Sequence, residues 1–407
     1  MSFRSVLIII NILALAIIAG VVLWRVLSLR KNAEPTPANL EPYLDDNDLE
    51  NRRLERALGW SLVFVLIVAL ALPVYFLVEP SRQVKAQEGF QERSVERGAV
   101  LFANSQMPTY DATKSLLCAN CHGAQGEGGA APFVLQPELD KCLVAENKGN
   151  ADVPECLPQQ VSWQAPALNS VLQRYSRSEI KHILNYGRPG APMPAWGIKS
   201  GKGVLNDQSI DDLVSYLASI QISDKEIKAI STEAIGEYRN GASDVVSNAE
   251  QGLADAQKEL AAAPASSSAA QLTSLQVAVA NAQAELAAAQ AYATEVAGLS
   301  EGAILFRLNC ARCHTKGWAY YDPTNLKVPA PSPQGSGAYG PSLRGGSTKI
   351  QFPGLAGEQQ QFDWIAVGVP ANEQYGIRGI SSGRMPHFAR TLTDAQIKAI
   401  VAYERSL

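Results

Sequence analysis

Apolar residues run almost unbroken through residues 6–27 and again through residues 58–78. Each stretch is long enough to cross a bilayer as a helix. Trp24 and Arg25 close the first and Trp60 and Tyr75 lie near the ends of the second, where interface anchors belong; Pro73 falls in the last turn of the second. Further along, the apolar period becomes that of amphipathic helices. Val95, Ala99 and Phe102 share one face; Ser176-Arg177-Ser178-Glu179 opens a helix with Ile180, Ile183 and Leu184 together; Asp207 is the expected cap of a helix carrying Ile210, Leu213, Val214 and Leu217. Residues 302–308 and a segment opened by Thr393-Asp394-Ala395-Gln396, with Ile397, Ile400 and Val401 inward, repeat the first and last of these.

Between the repeats, residues 224–298 are dominated by alanine. Val246, Ala249, Leu253, Ala256 and Leu260 recur at intervals of three and four, as do Leu272, Leu275, Val279, Ala282, Leu286 and Ala289. Pro264-Ala265-Ser266-Ser267-Ser268 separates the two runs. The pattern predicts two helices folded back as an antiparallel hairpin, each on the order of 40 Å long. The predicted fold class is therefore all-α.

Charge around the apolar stretches sets a topology. Arg25, Arg30, Lys31, Arg52, Arg53 and Arg56 flank the segment between them, against Arg4 alone at the N-terminus. Keeping both spans, residues 1–28 and 58–78, puts the N-terminus outside, the loop 29–57 in the cytoplasm and the remainder outside. Arg82, Lys85, Arg93 and Arg97 weaken that bias without reversing it. A cleaved leader in place of the first span would send the rest of the chain inward. The loop is acidic and rich in proline, a docking surface or a solvated connection, and residues 79–93 read as a polar linker.

The chemistry is concentrated in one pentapeptide that occurs in two copies, Cys118-Ala119-Asn120-Cys121-His122 and Cys310-Ala311-Arg312-Cys313-His314. Cys-x-x-Cys-His is the attachment signature of a c-type haem: Cys118, Cys121, Cys310 and Cys313 bond the vinyl groups, and His122 and His314 are axial iron ligands. Two covalently attached haem c groups are expected. The chain's net charge of −4 gives no reason to expect nucleic acid. Of six cysteines the motifs use four, and Cys142 and Cys156 remain. Haem attachment takes place outside the bacterial cytoplasmic membrane, where a leftover pair reads as a disulfide. Of the four methionines, Met193 and Met385 each sit in a Met-Pro turn before a final helix and are the expected sixth ligands; Met107 comes too early. His182 and His387 are rival ligands, and Trp196 and Tyr339 candidate pocket residues.

Helix, haem motif, glycine loop, helix, Met-Pro turn and final helix, in that order, resemble class I cytochromes c, over residues 94–223 and again over 299–407. An insertion at 133–163, pinned by Cys142 and Cys156, interrupts the first copy. The resemblance implies that the carbonyls of Pro166 and Pro341 orient His122 and His314, and that Leu168 and Leu343 pack on the haems. Two spans followed by two such domains resemble the dihaem cytochrome cc of actinobacterial-type cytochrome bcc complexes. That likeness implies cytochrome b and Rieske iron–sulfur subunits as partners, an aa-type terminal oxidase as acceptor, and an electron-transfer subunit without substrate chemistry of its own. The anchor of that family is C-terminal, whereas the spans here are N-terminal, and the hairpin is extra. The dihaem subunit of cbb-type oxygen reductases matches the anchor better but lacks the insertion and the hairpin. A dihaem peroxidase would need one haem open to peroxide, which two equivalent methionines argue against.

Overall fold

The computed structural model describes residues 54–136, 157–188, 191–323, 331–369 and 385–407, with scattered positions before residue 54. The chain divides into two compact units, 1–85 and 86–407. The first expected span lies mostly outside the described residues. The second lies in α1 (Leu54–Phe102), which contains a window long and apolar enough to cross a membrane. Residues 79–93, expected as a linker, are helical as well. Their composition is polar on every face, but Val84, Lys85, Ala86, Gln87 and Glu88 are mostly good helix formers, and Arg82 reaches back to Glu79 (Nε–Oε2 2.6 Å).

In the second unit each repeat is built on a helix crossing. The end of α1 lies across α4 (Asp207–Ser219) at Gly98, where a Cβ would collide with the Asp212 carbonyl. Beside the crossing, Asp212 accepts hydrogen bonds from Ser94 Oγ (2.7 Å) and from both Nε and Nη2 of Arg97 (2.7 and 2.8 Å). Phe102, Ile180, Leu184, Ile210, Leu213, Val214 and Leu217 fill the core beneath, with α3 (Arg177–Tyr186) on the other side. The α3 cap is the expected box of Ser176 and Glu179. The cap of α4 is Asn206, whose side chain accepts from Ser209 N; Asp207, the expected cap, is the first helical residue. Both side chains suit either place, and only the backbone turn at Asn206 decides between them.

The second repeat copies the crossing. α7 (Glu301–Asn309) meets α11 (Asp394–Glu404) at Gly302, where a Cβ would collide with the Ala399 carbonyl. Ile304, Leu305, Phe306, Ile365, Leu392, Ile397 and Ile400 form its core, to which α10 (Gly357–Val367) contributes.

The insertion expected as an irregular excursion has ordered ends. β1 (Gly129–Leu135) pairs antiparallel with β2 (Gln159–Ala165), Gly129 opposite Ala165 and Leu135 opposite Gln159. Val161 and Trp163 are buried while Ser162 and Gln164 are exposed, the period of a strand. Gly128, Gly129 and Pro132 hid the partner strand in the sequence. Cys142 and Cys156 lie outside the described residues.

The hairpin consists of α5 (Asp224–Ala261) and α6 (Ala269–Ala297), packed on each other. Ala282, Ala289 and Val296 are buried at heptad spacing, as are Ile235 and Ala242. Of the expected seam only Leu272 is exposed. Its foot is built into the second repeat. Ile235 joins that core; Asp224 pairs with Arg390 (2.9 and 3.0 Å); and buried Arg307 pairs with Glu295, bonds Tyr238 Oη (3.2 Å) and lies over the Trp318 ring.

Glu404 is buried beside Gln361, whose Nε2 donates to its carboxylate (2.9 Å) while Arg405 Nη1 reaches the Gln361 Oε1 (3.3 Å). Burial pushes the Glu404 carboxyl up to about 7 from 4.5. A raised native-state value means the folded chain holds the proton more tightly than the unfolded one. That contribution is complete below pH 4.5 and is lost as pH rises through about 7. Glu404→Gln should therefore flatten the fall in melting temperature of the second repeat between pH 5 and 8, raising stability at pH 8 by at most about 3 kcal/mol. Parallel pH profiles of variant and parent would refute this. Gly302→Ala should cost about 1–3 kcal/mol through the collision at the crossing. Gly241→Ala, in open space on the hairpin, should be neutral or slightly stabilising. Equal calorimetric melting of the two variants would refute the crossing.

Candidate functional site

Each motif is a single helical turn. In the first, α2 (Ala119–His122) follows Leu117, whose φ of 61° lies in the left-handed region and turns the chain sharply into Cys118. The amides of Cys121 and His122 both donate to the Cys118 carbonyl (3.2 and 3.0 Å). The turn projects two thiols and an imidazole from five residues. In the second, α8 (Ala311–His314) has the same bonds, Cys313 N and His314 N to Cys310 O at 3.0 Å each.

The histidines are oriented from behind. His122 Nδ1 lies 2.9 Å from the Pro166 carbonyl, and His314 Nδ1 lies 2.8 Å from the Pro341 carbonyl. A carbonyl only accepts, so Nδ1 carries the hydrogen and Nε2 keeps its lone pair. Burial holds both imidazoles below their ordinary values, against the opposing effect of the carbonyls. They are neutral donors with one nitrogen available to a metal.

Different backbone delivers the two carbonyls. Pro166 directly follows β2, and the glycine loop clamps the next turn, with Leu168 N and Asn169 N both on the Gly126 carbonyl (2.6 and 2.9 Å). Pro341 is held by Gly340, whose amide bonds the Cys313 carbonyl (2.7 Å) and whose missing side chain leaves room for the ring; a Cβ there would stand 2.6 Å from His314 Cε1.

The methionine turns also match. Arg188 N donates to the Met193 carbonyl (3.0 Å), and Val369 N donates to the Met385 carbonyl (3.0 Å). Gly187 and Gly368 precede those donors with φ of 69° and 68°, and a Cβ at either would crowd the methionine carbonyl (2.8 and 2.7 Å). This glycine pair escaped the sequence reading because its distance from the methionine differs between repeats. Cys118, Leu168, Met193 and Trp196 pack on the first core; Leu343 and Met385 pack on the second, of which Cys310 is a buried member. Burial pushes the Cys118 thiol up to about 12 and raises Cys310 and Cys313 as well.

The rival histidines sit elsewhere. His182 is exposed and stacks on Tyr186 at 4.7 Å between centroids. His387 acts electrostatically on Asp224 at the foot of the hairpin. Tyr339 is part of a third cluster, where Ala131, Phe133, Trp163 and Cys121 of the first repeat meet Ala319 and Tyr320 of the second; burial pushes its phenol up to about 12. There the Trp163 ring lies 5.9 Å from that of Tyr320 and Gln164 Nε2 donates to the Tyr321 carbonyl (3.3 Å). The two motifs therefore flank one interface between the repeats.

At each site an apolar wall, two thiols on one turn, a neutral imidazole and a nearby thioether form a donor set suited to a covalently attached haem. The family comparison agrees. Residues 95–221 match the model described as Cytochrome c, and residues 297–403 match Cytochrome C oxidase, cbb3-type, subunit III. The chain carries c-type cytochrome domains. No curated protein and no solved structure matches the chain or any part of it. Cytochrome c domains bind haem c covalently and transfer electrons, and the helix long enough to cross a membrane is consistent with an anchor.

In this c-type cytochrome the contact of Gly340 with the His314 ring has a direct consequence. Gly340→Ala should push the imidazole off its carbonyl and convert one haem's absorption from low-spin to mixed-spin. Gly252→Ala, in open space, should leave the spectrum unchanged. An unaltered Gly340→Ala spectrum would contradict the contact.

Proposed function

We propose that the chain is a membrane-tethered relay holding two haem c groups, one on Cys118 and Cys121 with His122 and Met193 as axial ligands, the other on Cys310 and Cys313 with His314 and Met385. The observation that carries this is the repetition of one geometry: a histidine braced by a proline carbonyl at 2.9 Å in one repeat and 2.8 Å in the other, on motifs that flank a common interface. Haem c, when bound, supplies a one-electron iron centre. The protein's contribution is to keep each imidazole neutral and to place a thioether against an apolar core. Thioether ligation favours the reduced iron and a closed coordination shell, which suits electron transfer over peroxide chemistry.

The domains act on the outer face of a cytoplasmic membrane, behind a two-pass anchor, with Cys142 and Cys156 joined as a disulfide. The donor is the Rieske centre of a quinol-oxidising complex containing cytochrome b, and the acceptor an aa-type terminal oxidase. The insertion at 133–163, which the dihaem oxidase subunits lack, favours that reading; the hairpin is extra to both families and does not choose between them. A second reading, the electron-receiving dihaem subunit of a cbb-type oxidase, is favoured by the family match over residues 297–403.

A pyridine haemochrome assay should count two haems per chain. Met193→Ala and Met385→Ala should each remove about half of the near-infrared methionine-to-iron band, and one haem per chain, or a band lost wholly with one variant, would sink the relay. Purification in mild detergent should bring down cytochrome b and a Rieske protein. A cbb-type catalytic subunit in their place would establish the second reading.

A further inference from the structure

The two repeats differ at one buried position. Gly98 and Gly302 mark the same helix crossing, and at each the opposing helix brings a tyrosine Cβ against the glycine, Tyr216 in the first repeat and Tyr403 in the second. The residue after that tyrosine is Leu217 in the first repeat and Glu404 in the second. Both are 4 % exposed. An apolar side chain suits such a place, whereas a carboxyl group is costly there unless it is paired or protonated. The first repeat also buries an acid, Asp212. Against its burial, Arg97, Ser94 and Gln208 all donate to it and hold its carboxyl below the ordinary value.

Among the described residues the Glu404 carboxylate has one donor, the neutral Gln361 Nε2 (2.9 Å). The charged groups around it are turned to other partners. Arg405 bonds the far side of Gln361 and the Phe352 carbonyl (3.3 Å each) and lies 3.9 Å from exposed Glu358. Arg307 of α7 is paired with Glu295. Asp363 of α10 accepts from Gln359, and Lys398 of α11 lies over the Phe362 ring. Lys349 of α9 (Ser347–Gln351) is exposed, while its neighbour Thr348 donates to the Glu404 backbone carbonyl (3.4 Å). On its inner side α11 packs on α7, which runs into Cys310. Cys310 shares a buried core with Ile400 and Val401, the turn before Glu404. Burial, and after it the charge of Glu404, raise the Cys310 thiol, so that charge is felt at the attachment turn.

The charge at that turn changes when bound haem c is reduced. A buried carboxyl beside a centre that loses one positive charge holds its proton more tightly, and by linkage its protonation favours the reduced iron. The effect is larger in a dry interior than in water. Burial already pushes Glu404 up to about 7, so a shift in either sense crosses neutral pH.

We propose that Glu404 is the proton site of the second haem, taking up one proton from solvent when the haem on Cys310 and Cys313 accepts one electron from its donor and releasing that proton when the electron passes on. This rests on the haem reading above. One electron and one proton enter together, so the charge of the buried site is unchanged, and the only bond that forms is the carboxyl O–H. The first haem, with Leu217 in the same place, takes its electron without this partner. The second station therefore holds electrons more tightly when the surrounding medium is acid.

The test uses the full-length chain in mild detergent, with the haem count confirming the haem reading independently of the outcome. A Met193→His background moves the first haem to lower potential and leaves the second to be titrated alone. The reduction equilibrium of the second haem should fall roughly tenfold between about pH 5 and 9, about 59 mV for a one-electron couple. Glu404→Gln, neutral at every pH, should abolish most of that fall and hold the potential near its acid value. Glu404→Asp should keep a fall with its midpoint displaced. Infrared difference spectra should show the carbonyl stretch of a carboxyl group protonated on reduction, present in the parent and absent in Glu404→Gln. A merely structural glutamate would leave the pH profile of Glu404→Gln parallel to that of the parent; that result, or an infrared band that survives Glu404→Gln, would overturn the proposal. If Glu404→Gln loses haem, Glu404→Asp and the parent decide. A profile that Glu404→Asp leaves unmoved, or a parent that gains no protonated-carboxyl band on reduction, overturns it equally.

Discussion

The bond between a histidine Nδ1 and a proline carbonyl is the constraint around which both repeats are built. It fixes which nitrogen carries the hydrogen, aims the other nitrogen, and persists because burial keeps the ring neutral. The two repeats reach it differently. In the first, a strand runs directly into Pro166 and a glycine loop clamps the following turn. In the second, Gly340 hangs from the Cys313 carbonyl and stands aside for the ring. What the repeats share is the hydrogen bond, with different backbone supporting it.

Both repeats also need two helices closer together than side chains allow. Gly98 and Gly302 meet that need at equivalent places. The crossing leaves the polar backbone of one helix against the other, and in the first repeat the neighbouring Arg97, Ser94 and Asp212 side chains satisfy each other. The hairpin is secured by other means. The Asp224–Arg390 pair is largely exposed and contributes little by itself. Ile235 in the core and buried Arg307 with Glu295 and Tyr238 do more, and they make the hairpin part of the second repeat.

The face between the repeats combines an aromatic contact, Trp163 against Tyr320, with converging positive charge. An apolar contact alone would hold two domains without regard to what each carries. Here the second motif itself takes part, since Arg312 donates to the Gln164 carbonyl of the first repeat.

Local pattern was enough for much of this. The apolar stretch at 58–78, the cap box at Ser176, the hairpin seam and the paired motifs depend on residues close in sequence, where period and spacing carry the information. The motif dictates its own turn, because two thiols and an imidazole within five residues leave few backbone paths. Other features depended on partners far along the chain. β1 contains glycine and proline and is a strand only because β2 lies beside it. Asn206 and Asp207 are equally good caps by composition, and the turn of the chain selects one. Arg174, Arg188 and Arg312 look like scattered surface charges until folding brings them together. Sequence by itself determined the helices, the repeat and the attachment chemistry, since each rests on short-range spacing. Tertiary structure alone decided how the two sites face each other, because charge and packing across an interface act through distances in space that no local pattern encodes.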